Sequence, residues 1–297
     1  MDPRAWPRLG VFAFLDGLTA AEARRFAATV ERLGYGALWV VEAMGRDVFV
    51  HAGQLLAATE RLVVGSGVAS VWAREASQAA AAARTLAEGS GGRFVLGLGV
   101  NNPRTAALRG LPYHRPVPFV RDYLARVHAA AYLAPAPADE PPVVLAALHP
   151  RMLSLAGEAA AGTLTYFVPP GHTAHARAVL GPDRWVCVEQ AVLLERDARA
   201  ARAAARAYMS TYVPHIGVYV RMLGRLGFGD ADFAGGLSDR LVDAVVAWGD
   251  ETALRARIDA HYAAGATHVS VLPLGPGGAT MPDVRVLEAL APAGAGE

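Results

Sequence analysis

The stretch that decides the fold is residues 62–74, LVVGSGVASVWAR, together with its near-repeat in residues 94–102, FVLGLGVNN. Both are apolar runs with glycines spaced two apart, and both break abruptly into polar residues. Such a run predicts a strand that is buried on both faces, as in a parallel sheet. Glycines near its end let a flat ligand or another backbone segment approach closely. We therefore expect the carboxyl ends of these two strands to line a cofactor site.

The rest of the chain repeats this alternation of apolar runs and helical patterns. The eight predicted strands begin near residues 9, 37, 62, 94, 143, 163, 185 and 268. This count and spacing predict an α/β fold, a (β/α)8 TIM barrel with its active site at the carboxyl ends of the strands. We expect one domain over residues 1–297, with residues 197–249 as a helical insertion after strand seven. A doubly wound open sheet is the competing architecture.

Composition excludes several classes of function. The chain has 297 residues, 53% of them hydrophobic, and a formal net charge of +1, so a nucleic-acid partner is not expected. The chain contains no lysine, which excludes Schiff-base chemistry, pyridoxal phosphate linkage and a P-loop. The one cysteine, Cys187, allows neither a disulfide framework nor a cysteine zinc cluster.

Targeting signals and metal or hydrolase motifs are also missing from the sequence. The segment MDPRAWPRLG does not resemble a signal peptide, and no apolar stretch has the length of a membrane span, so a cytoplasmic location is expected. No HExxH pattern and no Gly-x-Ser-x-Gly elbow occur. We therefore predict no metal and no serine hydrolase activity.

Seven segments, taken together and in order, resemble the luciferase-like monooxygenase superfamily, and within it the oxidoreductases that use the deazaflavin coenzyme F420. The resemblance covers nearly the whole chain. The segments are LGYGALWVVE, AATERLVVGSGVASVWAR, GRFVLGLGVN, RPVPFVRDYL, VVLAALHPRMLSLAGEAAAG, YFVPPGHT and LVDAVVAWGD.

The resemblance implies a flavin or deazaflavin that lies across the mouth of the barrel. It also implies a non-prolyl cis peptide at the end of strand three, where it makes a bulge against the central ring of the cofactor. In this sequence the expected pair is Ser70-Val71. An ordinary trans strand end is the alternative.

Glu42, which ends strand two, is the predicted catalytic residue. A carboxylate there could hydrogen-bond the cofactor or substrate, or act as a base. The alternative is a solvated acid at the strand end, paired with Arg46 or Arg74. Luciferase-like enzymes commonly have a histidine directly after this acid, and Ala43 stands there instead. The acid–base role is therefore either placed elsewhere or not needed.

The end of strand four resembles the family's cofactor contact, and Gly99, Val100 and Asn101 are expected to bind it. Some sugar-phosphate dehydrogenases of the deazaflavin branch carry a catalytic glutamate where Val100 stands, which argues against that chemistry. A Rossmann fingerprint is disfavoured, because Asn102 occupies the position of the third glycine.

A phosphate site is expected where a helix begins after strand six. Free N–H groups, a hydroxyl and an imidazole there suit an anion, and by resemblance the anion is the cofactor phosphate. A plain N-cap by Thr173 is the alternative reading. The predicted ligands are Pro170, Gly171, His172 and Thr173.

Aromatic and basic residues near the strand ends are expected over the cofactor ring. The predicted substrate pocket is formed by Trp72, Arg74, Tyr113, His114 and Tyr219, with Arg115, Tyr212 and His215 nearby.

Three hypotheses of function follow. The first is an oxidoreductase that moves a hydride between coenzyme F420 and a small organic substrate such as an activated alkene or imine. The second is an FMN-dependent monooxygenase. The absence of the common histidine, which Ala43 replaces, argues against it. The third is a homologue that binds a flavin-like ligand without turnover. By resemblance, a homodimer or larger homo-oligomer is expected.

Overall fold

A computed structural model describes residues 6–213 and 216–292. Its centre is a closed ring of parallel strands, as predicted, and not an open sheet. Pairing runs in the order β10-β1-β2-β3-β5-β6-β7-β8, and the ladder between β8 and β10 closes the ring. The strands are β1 (Leu9–Ala13), β2 (Ala37–Val40), β3 (Val63–Ser66), β4 (Ala69–Ser70), β5 (Phe94–Gly99), β6 (Val143–Ala146), β7 (Gly162–Thr165), β8 (Trp185–Leu194), β9 (Ala247–Gly249) and β10 (His268–Pro273).

Helices follow the strands and cover the outside of the ring. They are α1 (Ala20–Arg32), α2 (Val48–Leu56), α3 (Ala76–Gly89), α4 (Pro103–Leu108), α5 (Pro116–Ala129), α6 (Pro150–Ala159), α7 (Pro170–Leu180), α8 (Ala198–Met209), α9 (Gly217–Arg225), α10 (Asp230–Phe233), α11 (Asp239–Val245), α12 (Glu251–Ala263) and α13 (Val284–Ala289). Among the described residues, no helix is long and apolar enough to cross a membrane.

Two strands stand outside the eight-membered ring. β4 continues β3 after a break and pairs with the end of β5. β9 pairs with the end of β8 only. The segment predicted as a helical insertion contains α8 to α11, but its last residues form β9, because they add to the free edge of the long strand β8 beyond its pairing with β7.

Large aromatic side chains fill the amino-terminal end of the barrel, which we call the barrel bottom: Trp6, Trp39, Trp185 and His268. Trp6 stacks on Trp185 with ring centroids 4.6 Å apart. The Trp39 Nε1–H donates to His268 Nε2 over 2.9 Å. Gly65 makes room for the Trp39 indole, since a Cβ there would lie 2.5 Å from the ring. Packed rings therefore close this end of the barrel among the described residues.

Candidate active site at the barrel mouth

The carboxyl ends of the strands form the mouth, and a bulge between β3 and β4 is its first feature. The cis peptide lies at Gly67-Val68, so the predicted position Ser70-Val71 is wrong. Ser70 and Val71 belong to the part of the chain that has rejoined β5, where the Val71 N–H donates to Gly99 O over 3.0 Å. Glycine suits this position because a Cβ at Gly67 would lie 2.8 Å from the Phe12 ring.

The glycines of FVLGLG are explained by this bulge. A Cβ on Gly97 would lie 1.9 Å from the Ser66 carbonyl oxygen, and one on Gly99 would lie 2.5 Å from Val68 Cγ2. The Ser66 hydroxyl donates to Gly97 O over 2.8 Å and accepts from the Gly97 N–H over 2.9 Å. The glycines therefore admit another backbone segment, one of the two roles expected of them, and the bulge in turn forms the wall of the mouth.

Glu42 lies just beyond β2, buried at the rim of the mouth. Its carboxylate accepts two hydrogen bonds from Arg74, at 2.6 and 2.9 Å, and one from the Ser70 N–H at 2.8 Å. Arg109 adds a third donor at 3.3 Å and also binds the Ala43 carbonyl. The pairing with Arg74 belongs to the alternative to a catalytic role, but the acid is buried and not solvated. Four hydrogen bonds hold the carboxylate in one position, and its catalytic role stays a prediction.

The residues after β5 turn sharply at the mouth. Asn101 has a φ of 50°, in the left-handed region that few non-glycine residues adopt outside turns and functional sites. Asn102 then caps α4 through its side-chain oxygen, which accepts from the Thr105 N–H over 2.9 Å. The Val100 carbonyl accepts from Trp72 Nε1 over 3.0 Å. Gly99, Val100 and Asn101 therefore lie together at the mouth, and their contact with a cofactor stays a prediction.

The first turn of α7 is where the phosphate was expected. Pro170 is its first residue, and Pro169, the N-cap, makes no side-chain capping bond. Gly171 is exposed and a Cβ there would meet only Leu226, at 3.9 Å. An uncapped, accessible helix N-terminus is suited to an anion.

The next two predicted phosphate ligands turn into the protein. His172 Nε2 contacts Leu148 O at 2.9 Å, and burial lowers the pKa of His172 to about 4, so the imidazole is neutral at pH 7. Thr173 is fully buried, and its hydroxyl hydrogen-bonds His261 Nδ1 over 2.8 Å. Neither side chain is placed to donate to a phosphate at the surface, and Thr173 is not the N-cap either.

His261 explains why Thr173 is turned inward. Its Nε2 contacts Gln190 Oε1 at 2.9 Å, and the Gln190 amide donates to the Val245 carbonyl over 2.9 Å. Because the Gln190 oxygen can only accept, His261 Nε2 carries the proton and Nδ1 accepts from Thr173. This chain of hydrogen bonds connects α7, α12, β8 and α11 behind the barrel wall, and so it is structural.

Three of the predicted substrate-pocket residues come together. The Trp72 indole stacks on Phe119 at 4.1 Å and lies 5.7 Å from the Tyr113 ring and 6.0 Å from the His114 ring. Arg74 is held by Glu42 instead. His215 lies outside the described residues.

Tyr219 belongs to a second aromatic cluster. We call it the tyrosine cluster, and it contains Tyr166, Phe167, Tyr208, Tyr212 and Tyr219. Its ring centroids lie 5.3 to 6.4 Å apart, and the hydroxyls of Tyr166 and Tyr208 are 2.6 Å apart. Phe12 connects this cluster to the bulge, with its ring 5.4 Å from that of Tyr166.

Two functional candidates were missed by the sequence reasoning: Arg109 and Glu189. Glu189 is buried on β8, and its Oε2 accepts from the Phe167 N–H over 2.9 Å. The sequence could have indicated Glu189, because it is a single acid inside the apolar run WVCVEQAVLL. It does not single out Arg109, because arginines are frequent in this chain. Within residues 6–213 and 216–292, no group of three or more potential metal ligands occurs.

Comparison with known proteins adds to this geometry. Residues 8–268 match the sequence model of the family described as luciferase-like monooxygenase. A 5,10-methylenetetrahydromethanopterin reductase of Methanolobus tindarius is 27% identical over 157 residues, which are 47% of this chain and 48% of that protein. A Mycobacterium tuberculosis protein, provisionally named a coenzyme F420-dependent oxidoreductase, is 33% identical over 136 residues, 46% of this chain and 37% of that protein. These matches thus span less than half of each relative.

Solved structures show the same fold at low identity. An F420-dependent secondary alcohol dehydrogenase, in complex with an F420-acetone adduct, superposes with a TM-score of 0.77 at 15% identity, covering 98% of this chain and 97% of that one. The oxygenating constituent of a Pseudomonas putida diketocamphane monooxygenase, in complex with FMN, superposes with a TM-score of 0.67 at 14% identity, covering 96% and 97%.

Proposed function

Because the chain belongs to the luciferase-like monooxygenase family, we propose that it is an oxidoreductase that moves a hydride between coenzyme F420 and a small organic substrate. The observation that carries the proposal is the similarity to the two relatives named above. One is named as a coenzyme F420-dependent oxidoreductase and the other as a methylenetetrahydromethanopterin reductase. The cytoplasmic location and the homodimeric or larger assembly stay predictions.

The residues at the mouth fit a planar cofactor with a phosphate. The bulge presents Val68, a partly buried apolar side chain, at the wall of the mouth. Pro170 has no N–H, so the uncapped N-terminus of α7 offers an anion site through the Gly171 N–H and the helix dipole. We propose that the ring lies against Val68 and that the phosphate binds at Gly171.

When bound, F420 would supply a carbon that gives or takes the hydride. The chain's own residues would then hold the geometry. Arg74 and Arg109 fix the Glu42 carboxylate, and Glu42 fixes the Ser70 N–H, so the segment after the bulge cannot shift along β5. We propose that Glu42 acts first through this positioning, since rigid placement of the reacting atoms is a large part of catalysis.

FMN is the second candidate cofactor, supported by the FMN-bound structural neighbour. Its phosphate would use the same helix N-terminus. The alanine after Glu42 tells against the monooxygenase reaction, because the histidine common at that position in the family is missing.

A fluorescence titration of the purified protein with F420, and separately with FMN, tests the proposal. We expect F420 to bind and FMN to bind much more weakly. Gly171→Asp places a negative charge at the second residue of α7 and should weaken F420 binding about tenfold, which corresponds to ~1.4 kcal/mol of repulsion. Thr252→Asp, at the second residue of α12, is the matched control and should bind as the wild type does.

Preferential binding of FMN would favour the second hypothesis, an FMN-dependent monooxygenase. If F420 binds but is neither reduced nor oxidised with any of a panel of alcohols, enones and imines, the non-catalytic alternative is favoured. Equal loss of affinity in Gly171→Asp and Thr252→Asp would contradict the proposed phosphate site.

A further inference from the structure

Glu189 is a buried acid that the proposed function does not yet use. It lies on the inner face of β8, level with Ser270 of β10, and its exposed fraction is 1%. One carboxyl oxygen, Oε2, accepts from the Phe167 N–H. The other, Oε1, has no hydrogen-bond partner among the residues that the structure describes. Buried polar atoms without a partner are few in folded proteins and call for an explanation.

The groups that face Glu189 are phenols, which are neutral at pH 7. Tyr166 follows β7, Tyr208 comes from α8, Tyr212 from the turn after α8 and Tyr219 from α9. Burial raises the pKa of each of these hydroxyls, and an ionised Glu189 would raise it further. Burial raises the pKa of Glu189 to about 8, and the Phe167 N–H only partly opposes this. The carboxyl group is therefore largely protonated at pH 7.

The backbone that holds this acid is itself unusual. Phe167 follows β7 and has a φ of 67°, in the left-handed region, and this conformation turns its N–H towards Glu189 Oε2. With Oε2 held as the acceptor, the proton belongs on Oε1, the oxygen without a partner. A buried carboxylic acid whose hydroxyl has no partner is a hydrogen-bond donor that lacks an acceptor, and a ligand can provide one.

We propose that Glu189 is the proton donor of this site and that its substrates are uncharged conjugated carbonyl compounds or imines. The inference rests on the proposed F420 function. It also accounts for Ala43. The family commonly places a histidine at that position, and here Glu189 on β8 would donate the proton instead.

When bound, reduced F420 would supply a hydride by breaking a C–H bond. The substrate carbon would gain this hydrogen with two electrons, so the substrate would be reduced and F420 oxidised. The electron pair of the substrate's π bond moves to its oxygen or nitrogen, which takes the proton from Glu189 Oε1. Glu189 is left as a carboxylate that still accepts from the Phe167 N–H, and water returns the proton. An uncharged substrate fits because a charge buried among phenol rings has no compensating partner.

Infrared spectroscopy of the protein without cofactor tests the protonated acid. At pH 6 the wild type should show the carbonyl band of one buried carboxylic acid, which disappears as the pH is raised through about 8. Glu189→Gln should lack the band. Glu158→Gln, which changes an exposed glutamate on α6 paired with Arg121, should keep it. Absence of the band in the wild type, or its presence in Glu189→Gln, would overturn the proposal.

A second experiment tests donation to a ligand, with cyclohex-2-enone as the probe. In the wild type the carbonyl stretch of bound enone should shift to lower frequency, and reduced F420 should be oxidised by the enone. Glu189→Gln should bind F420 as the wild type does, but oxidise it about 100-fold more slowly, without the break near pH 8 in kcat. Equal rates in the two proteins would overturn the donor role. If the wild type does not bind F420, the proposed function fails, while the infrared band and the enone shift still decide the role of Glu189.

Discussion

The two ends of the barrel bury titratable groups in opposite ways. At the barrel bottom, His268 Nε2 accepts from Trp39 and Nδ1 contacts the Pro7 carbonyl, so both ring nitrogens are paired. At the mouth, Glu189 is equally buried and pairs only one of its two oxygens. Trp6 Nε1 is the exception at the bottom, as it has no partner among the described residues.

Backbone conformation follows the same division. Asn101 and Phe167, two of the four described non-glycine residues with positive φ, directly follow β5 and β7 at the mouth. The barrel bottom has regular strand starts and stacked rings. The barrel bottom is thus stabilised by packing. The mouth contains a buried polar atom without a partner and rare backbone conformations, which is the usual distribution for a (β/α)8 enzyme.

The largest expected effect concerns the pH dependence of stability. The pKa of Glu189 is about 8 in the folded protein and 4.5 in the reference state, so the folded state binds the extra proton between these values. The free energy of unfolding should therefore fall as the pH rises from about 4.5 to 8, by at most ~4–5 kcal/mol. Urea unfolding at several pH values should show this fall in the wild type and a flatter profile in Glu189→Gln. Identical profiles would mean that the mouth holds no buried neutral acid.

Two glycine substitutions compare the ends directly. A Cβ on Gly97 would lie 1.9 Å from the Ser66 carbonyl oxygen at the bulge, and one on Gly162, at the start of β7, would lie 2.1 Å from that of Trp185. Either change to alanine should lower the free energy of unfolding by about 3 kcal/mol, because backbone must move. Only Gly97→Ala should also weaken F420 binding when both are titrated while folded.

Gly89→Ala is the matched control for both, since a Cβ there would meet nothing within 4 Å. Its free energy of unfolding should change by less than about 1 kcal/mol. Comparable loss of F420 affinity in Gly97→Ala and Gly162→Ala would show that the bulge has no special role in the site.

The smallest effect is expected at Thr173. Thr173→Val removes the hydroxyl that His261 accepts from and keeps the shape of the side chain. The buried imidazole then has an unpaired nitrogen, so the free energy of unfolding should fall by about 1–2 kcal/mol. F420 affinity should stay unchanged, in contrast to Gly171→Asp. A Thr173→Val protein that is stable but binds F420 more weakly would indicate that Thr173 binds the phosphate, as the sequence predicted.

The local pattern alone determined the order and number of the barrel strands, the position of the mouth and the two glycine-bearing strand ends. Apolar runs of strand length between helical patterns have few other ways to bury their surface. The same pattern placed Trp72, Tyr113 and His114 in one region, because they flank neighbouring strand ends.

Only the tertiary structure decided the rest. The bulge lies at Gly67-Val68, where the glycine leaves room for the Phe12 ring of β1. Thr173 faces His261, which is 88 residues away, and Arg109 reaches Glu42 across 67 residues. In the sequence, Glu189 is one acid in an apolar strand. The pKa and hydrogen bonding of its carboxyl group depend on which side of β8 faces the barrel and on which residues of other elements surround it. Local residue types set strand and helix propensity, whereas the pairing and solvation of a buried polar group depend on neighbours that only the closed barrel brings together.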